Sequence, residues 1–522
     1  MREILLRVVL VSIVQFFVLS LPIVQADDNA YQKYQQDFIA MQKIDREAFV
    51  KGEPALTARE QMLDDKLAAE RATMKKNAMK SGDYTTYPPS QPFYKARDMI
   101  EKSQALQYFK EMPKGGNLHV HTSSTADINE FINMLASDPN VYLYWGEDTS
   151  DYIKGTLFYL EYEPKNPFFK NLKEAFAREE ITSKDLKQLL TVSDDSADTI
   201  PYIWDDFNAI FSRVSPVLKT KKIYEEYYRS SFQTMLQDNL DYVELRFGPQ
   251  KLVDSNDLML AEKDRGDLPT DFNVHEGTQE ESIQTIHRIW KSVQETSPDF
   301  TLKLIISKSR GTDADTILAF MKKVQQWRKD PNLFSKENFI VGFDLVSEED
   351  RNNTTDYYAK TILENNIDLP FYFHDGETSW ADNDNLYAAY LLKTKRIGHG
   401  FSIYRYPSLE RKVQDAKICL EICPISNQLL RYTQDLRMHP MGEFLNDNVP
   451  FVICSDDPQI FADTGLSYDF WELYFSQDVD LRTIKKLIKN SYQYSAMTDE
   501  EKDKALKRWQ GKWDKFIAEV KL

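Results

Sequence analysis

Asn117-Leu118-His119-Val120-His121 is the stretch on which the fold of this chain turns. Polar and apolar positions alternate, as in a short strand, and side chains two apart on a strand point the same way. His119 and His121 therefore leave one face together. Two imidazoles side by side make a poor piece of core and half of a metal site. Outward from this strand, short apolar β-rich runs recur, each followed by a stretch long enough for a helix. They span residues 117–121, 242–247, 302–307, 339–346, 369–374, 396–399, 418–423 and 450–455. Strands alternating with helices predict an α/β parallel sheet, and eight of them predict a closed (β/α)8 TIM barrel. The gap from 121 to 242 is far longer than any later one, so residues 125–200 read as an insertion on the first βα loop.

Four of the seven histidines fall at or just past the ends of these strands: His119, His121, His374 and His399. In a closed barrel strands one and eight are neighbours, which lets Asp456, just after strand eight, meet His119 and His121. His374 adds a third nitrogen. Three nitrogens, one carboxylate and room for water match Zn2+ best. No lysine follows strand four, where a binuclear barrel hydrolase carries its bridge, so one metal is expected. Acid–base groups stand beside the ligands. Glu377 lies three residues past His374, with Gly376 between. His399 sits between two glycines, and Asp457 follows Asp456. Zinc turns water into hydroxide near neutral pH; His399 would take or orient its proton, Glu377 would protonate a ring nitrogen, and Asp457 would hold another.

The ends of the chain read differently. Arg2 and Arg7 flank an apolar run over 8–21, and Val24 and Ala26 precede Asp27 as small residues precede a cleavage site. Residues 1–26 are expected to be a secretory signal peptide and the mature protein to be soluble, exported and not inserted in a membrane. Residues 27–111 read as a helical, polar N-terminal region ahead of a barrel over 112–522. Thr57 with Glu60 forms a capping-box pattern, opening a helix whose stripe of Leu63, Leu67, Met74 and Ala78 packs on the chain itself or on a second copy. The formal charge of −17 disfavours a nucleic-acid partner, and 42% apolar with 28% charged residues is a globular composition. Three cysteines cannot build a disulfide scaffold, and Cys419 and Cys423, roughly 13 Å apart on a strand, cannot pair. His275, His287 and His439 read as structural or surface residues, the acidic clusters at 194–195 and 348–350 as solvated loops, and 352–355 as overlapping glycosylation acceptors.

Five motifs in order now carry a resemblance. They are Met112-Pro113-Lys114-Gly115-Gly116-Asn117-Leu118-His119-Val120-His121, His374-Asp375-Gly376-Glu377-Thr378, Arg396-Ile397-Gly398-His399-Gly400-Phe401, Glu421-Ile422-Cys423-Pro424-Ile425-Ser426-Asn427 and Ser455-Asp456-Asp457-Pro458. Together they resemble the adenosine deaminases, and more narrowly the secreted adenosine deaminase-related growth factors. The resemblance implies His119, His121, His374 and Asp456 as zinc ligands, Glu377 as proton donor to N1 and His399 as the water-activating base. It also implies Asp457 as the N7 contact, the Gly376 N–H as the N3 contact and Trp204 as a wall of the nucleoside pocket. A homodimer through the N-terminal helices is implied as well, with the insertion as a surface for a cell-surface partner. Thr122, Asp375 and Ser347 depart from the family pattern in ways that bear on sugar recognition, and the insertion has no cysteine. The alternatives are a zinc aminohydrolase of another or modified purine, and an extracellular growth-factor-like binding protein.

Overall fold

The computed structural model describes residues 21–48, 50, 52–193, 202–378 and 384–522. The expected signal peptide, through residue 20, and the acidic pair at 194–195 lie outside the described residues. Two units are described in turn. In the first, residues up to Glu53, the 28-residue helix α1 (Leu21–Ala48) exposes Tyr31, Tyr34, Phe38, Ile39, Met41 and Ile44. The rings of Tyr31, Tyr34 and Phe38 stack in sequence along it, 6.3 and 6.0 Å apart.

The second unit, Pro54–Leu522, contains the barrel. Strands β1 (Gly115–His121), β2 (Leu240–Phe247), β3 (Thr301–Ser309) and β4 (Ile340–Val346) form one parallel sheet in that order. Strands β5 (His374–Asp375), β6 (Arg396–His399), β7 (Cys419–Ile422) and β8 (Phe451–Ile453) form a second. Single parallel bridges close both seams. One pairs Phe343 with Phe371; the other pairs Val120 with Asp456, where the His121 N–H donates to the Asp456 carbonyl at 3.0 Å. The eight strands thus form a closed barrel in sequence order. β5 is shorter than the expected 369–374. Pro370 brings no N–H to a ladder, and the His374 N–H donates to the Asp344 side chain at 3.0 Å instead of to a neighbouring strand.

Helix α2 (Ala58–Ser81) begins at the expected capping box: Thr57 and Glu60 exchange both bonds. Its stripe packs on the chain itself. Leu63, Leu67 and Ala78 are buried, at about 1.5–3 kcal/mol for each leucine. On the same face the Glu60 carboxylate receives Lys485 Nζ at 2.5 Å and Trp513 Nε1 at 2.7 Å, from the C-terminal helices. That stripe is therefore not free to meet a second copy.

The insertion carries its own small core. Its antiparallel sheet, with Val141–Tyr144 between Leu157–Tyr159 and Phe169–Asn171, covers Tyr144, Tyr152, Phe158, Leu160 and Phe169. Loop residues after β2 hold it down: Asn256 and Asp257 accept the Tyr159 and Glu161 N–H groups at 2.8 and 2.9 Å. The chain returns to the barrel through Ile203–Leu218 and Lys221–Gln237. All three cysteines are buried and unbridged.

Candidate active site

The C-terminal ends of the strands surround a cavity of about 360 Å³. Three non-glycine residues there have left-handed backbones: Ser347 (φ 85°), His399 (φ 58°) and Asp456 (φ 57°), ending β4, β6 and β8. Such conformations cost on the order of 1–3 kcal/mol each and collect at functional sites. Each turns its strand sharply at the cavity wall. Gly398 is required for a different reason: a Cβ there would stand 3.0 Å from the His374 Cα and 3.2 Å from the His119 ring.

His119, His121, His374 and Asp456 present ligand atoms that all lie within 4.8 Å of one another. His121 Nε2 stands 3.1 Å from His374 Nε2 and 3.2 Å from Asp456 Oδ1, and His119 Nε2 is 3.5 Å from the same oxygen. His119 Nε2 is buried with no hydrogen-bond partner. The outer nitrogens are held from behind, His119 Nδ1 by Glu421 at 2.9 Å and His374 Nδ1 by Asp344 at 2.7 Å. With hydrogens committed there, both Nε2 lone pairs face inward, as metal-binding imidazoles require. Burial and the neighbouring rings push His374 well below the usual range, which keeps it a neutral donor. An orphaned buried nitrogen among two more imidazoles and a carboxylate suits zinc. A second cluster, His119, His399, Cys423 and Asp456, shares two of these residues. Burial pushes the Cys423 thiol well up, so it stays protonated.

Glu377 and His399 stand beside this quartet, Nε2 to Oε1 3.5 Å. Burial, then repulsion from Asp456, Glu349 and Asp457, pushes Glu377 well above the carboxylate range, which favours its protonated form. The adjacent aspartates diverge. Burial opposes ionisation of both, but His119 and His121 hold Asp456 well down, while Asp457, next to that charge, is pushed to about 8. Ser426 Oγ donates to Asp456 Oδ2 at 2.6 Å, and Ser124 Oγ donates to Asp457. Trp204 lines the cavity with Phe207 and Phe211, its Nε1–H donating to the Tyr432 hydroxyl at 2.8 Å.

Four sequence readings need correction. Gly376 does not present a free N–H: it donates to Glu349 Oε2 at 3.0 Å, and the Glu377 N–H to Oε1 of the same carboxylate at 2.6 Å. Glu348 and Glu349 are accordingly not solvated loop acids; both are buried. Glu349 also receives Asn385 Nδ2 at 2.7 Å and so clamps the turn that carries Glu377. Asp375 faces away from the cavity, held by Thr355 Oγ1 at 2.5 Å and Arg310 at 3.2 Å. It shapes the scaffold and does not line the substrate space. Thr122 and Ser347 do line it. The expected glycosylation acceptors are engaged inside the fold, Asn352 Nδ2 with the Glu348 carbonyl at 2.9 Å and Asn353 Nδ2 with the Tyr358 hydroxyl at 3.1 Å. The parts played by Asp344 and Glu421 went unread in the sequence, and Glu349 was read only as a solvated loop acid. Asp344 and Glu421 had a signal, an acid inside an apolar strand run; Glu349, in a loop, had none.

Known proteins bear on this arrangement. The sequence profile of the adenosine deaminase family matches residues 180–510, a span that begins after His119 and His121. Adenosine deaminase 2 of Homo sapiens is 29% identical over 493 residues, 90% of each chain. Adenosine deaminase 2 of Dictyostelium discoideum is 33% identical over 446 residues, 82% of this chain and 78% of its own. Among solved structures, an Arabidopsis N6-mAMP deaminase superposes with a TM-score of 0.53 over 78% of this chain and 99% of its own, at 16% identity. That last likeness speaks for the barrel alone.

Proposed function

The chain belongs to the adenosine deaminase family, and from that premise we propose that it is a zinc-dependent enzyme hydrolysing adenosine or 2′-deoxyadenosine to the inosine product and ammonia. The observation that carries the proposal is the convergence of His119, His121, His374 and Asp456 beside Glu377 in one cavity. Zinc held by those four residues would supply Lewis acidity, lowering the pKa of a water from about 15.7 toward about 7. Glu377 delivers a proton to N1, which makes C6 electrophilic. Asp457, pushed up to about 8 by burial and by the neighbouring Asp456, donates to N7. His399 orients the attacking water from the side of Glu377. The reaction balances: the water oxygen bonds to C6, the C6–N6 bond breaks, and the two water hydrogens end on N1 and on the departing ammonia.

The cavity lining favours a nucleoside over a nucleotide. Among the described residues its one cationic side chain is Arg246, which is ion-paired with Asp344 at 3.2 Å and with Glu421. No unpaired cationic side chain among the described lining residues is left to meet a phosphate, whereas Thr122, Ser123, Asn208, Gln250 and Ser307 suit sugar hydroxyls, and Trp204, Phe207 and Phe211 suit a purine face. The apolar run over 8–21 behind Arg2 and Arg7 supports export, and no helix among the described residues is long and apolar enough to cross a membrane. The exposed aromatic face of α1 supports a homodimer; replacing Tyr34 and Phe38 by glutamate should shift sedimentation to the monomer.

The test is chelation followed by zinc. Loss of adenosine absorbance should stop and then recover, adenosine and 2′-deoxyadenosine should be turned over, and AMP should not. Preference for free adenine or an N6-methyl nucleoside would replace the substrate; turnover indifferent to chelation would remove the zinc.

A further inference from the structure

A chain of three hydrogen bonds runs away from His399 through residues that do not line the cavity. Asn427 Nδ2 stands 3.4 Å from His399 Nδ1. Asn427 Oδ1 lies 3.1 Å from His439 Nε2, and His439 Nδ1 accepts the Met441 backbone N–H at 3.0 Å. Imidazole and carboxamide groups can each face a partner two ways, but a backbone N–H can only donate, so the last bond polarises the rest. Because His439 Nδ1 accepts, the hydrogen of its neutral ring is on Nε2. Burial alone pushes His439 down to about 3, which keeps that ring neutral. Its Nε2–H requires an acceptor, which is Asn427 Oδ1. The amide nitrogen is then the atom turned toward His399. An amide nitrogen has no lone pair to offer, so His399 Nδ1 must accept.

We propose that Asn427 and His439 are positioning residues that set the tautomer of His399, so that the nitrogen facing the cavity, Nε2, carries the hydrogen. Nε2 lies 3.5 Å from Glu377 Oε1 and 3.9 Å from Asp456 Oδ2. His399 therefore donates a hydrogen bond into the reaction space in the resting protein and offers no lone pair there. It would hold an oxygen by donation, as an oxyanion-type contact does, and it would not collect that oxygen's proton. The identity of the oxygen rests on the proposed deaminase reading; the tautomer does not.

His439 is otherwise hard to account for. It is 3% exposed, and its ring meets the edge of Phe401 at 5.1 Å. A buried ring with both nitrogens bonded is a costly way to fill space that an aliphatic side chain would fill without polar atoms. Asn427 sits on the short helix Pro424–Leu429. This places the amide directly behind the strand end that carries His399.

The tautomer is read directly from nitrogen resonances of the full chain labelled with 15N-histidine, the His399 signals being assigned by their loss in His399→Gln. The expected result is an unprotonated Nδ1 and a protonated Nε2; the reverse would overturn the proposal whether or not the protein deaminates adenosine. Asn427→Asp is the inverting change, since a carboxylate accepts from both rings and draws the His399 hydrogen onto Nδ1. It should reverse the His399 pattern and lower kcat on the order of 10⁴-fold, the scale of a catalytic histidine held in the wrong tautomer, with KM little changed. His439→Gln, which keeps an acceptor for Met441 and a donor for Asn427, should retain the wild-type pattern and most of kcat, whereas His439→Leu should not. A reversed pattern with undiminished kcat would also overturn the assigned role. Should Asn427→Asp fail to fold, the unmodified protein's spectrum still decides.

Discussion

Two clusters of buried charge meet in the barrel, and they are built on opposite rules. On the N-terminal side of the site, arginines and carboxylates pair off. Arg396 reaches Glu421 at 2.6 Å and Glu244 at 2.5 Å, while Arg246 reaches Asp344 at 3.2 Å and Glu421. Burial opposes these charges, yet the arginines hold Glu421 well below the carboxylate range and the carboxylates hold Arg396 well up; Asp344 alone is lifted by burial. At the mouth, carboxyls and imidazoles gather, and among the described residues the one arginine that reaches the lining, Arg246, is already paired with the cluster below. Ionisation there is divided unevenly, with Glu377 and Asp457 pushed up and Asp456 held down. The lower cluster is closed, and the upper one is short of a cation. Glu421 joins the two, because it also holds His119 Nδ1.

If this division is right, substitutions in the two clusters should fail differently. The largest losses of function belong to the mouth. Asp456→Ala should abolish zinc uptake, measured by elemental analysis, and all turnover. Glu377→Gln should keep zinc and lower kcat on the order of 10³-fold; normal turnover in that variant would remove Glu377 as the proton donor. Glu421→Gln crosses the boundary. It leaves Arg246 and Arg396 short of a partner and should cost about 3–5 kcal/mol in denaturant unfolding, while zinc affinity falls about 10–100-fold through His119. Lost zinc with unchanged stability would erase the distinction between the clusters.

A smaller effect is expected at Glu349. Its carboxylate accepts the N–H groups of both Gly376 and Glu377, and charged hydrogen bonds of this kind contribute about 1.5–3 kcal/mol. Glu349→Gln should lower kcat by about tenfold to a hundredfold with KM nearly constant, since the clamp positions the acid and does not touch the sugar. A change that should leave turnover alone and act only on stability sharpens the comparison from outside. Glu472 is fully buried, and neither of its oxygens has a hydrogen-bond partner among the described residues, yet it lies away from the cavity. Burial, then Asp435, raises its pKa from 4.5 to about 8. The folded protein thus keeps a proton that the unfolded chain releases, so this contribution is complete below about 4.5 and declines as pH rises through about 8. The slope should reach at most about 1.4 kcal/mol per pH unit, and Glu472→Gln should flatten it. An unchanged slope in that variant would mean that Glu472 finds a counter-charge after all.

How much of this was legible in the chain depends on distance along it. The pair His119 and His121 declared itself because alternation on a strand is a local rule, and the eight-fold recurrence of strands gave the closed barrel. His374, Asp456, Glu377 and His399 followed because the ends of parallel strands share one rim. Glu349 was misread because two consecutive loop acids look the same whether water or a backbone surrounds them. Its burial depends on the turn at Gly376, 27 residues later. Asp375 and the Gly376 N–H were misassigned for the same reason: which way a turn faces is decided by its partners, here Arg310, Thr355 and Glu349. The paired arginines left a trace that could have been followed. Glu244 and Arg246 stand two apart in an apolar strand, the same spacing as His119 and His121. Inward-facing charges at that spacing announce an interior ionic layer.

The three thiols bear on how the molecule can be made. Cys419, Cys423 and Cys454 are the full complement of cysteine in the chain, and none is cross-linked. Nothing in the barrel waits on an oxidase or a disulfide isomerase, so a reducing bacterial cytoplasm is a suitable production host for residues 27–522, and dithiothreitol in the buffer should leave the purified material intact.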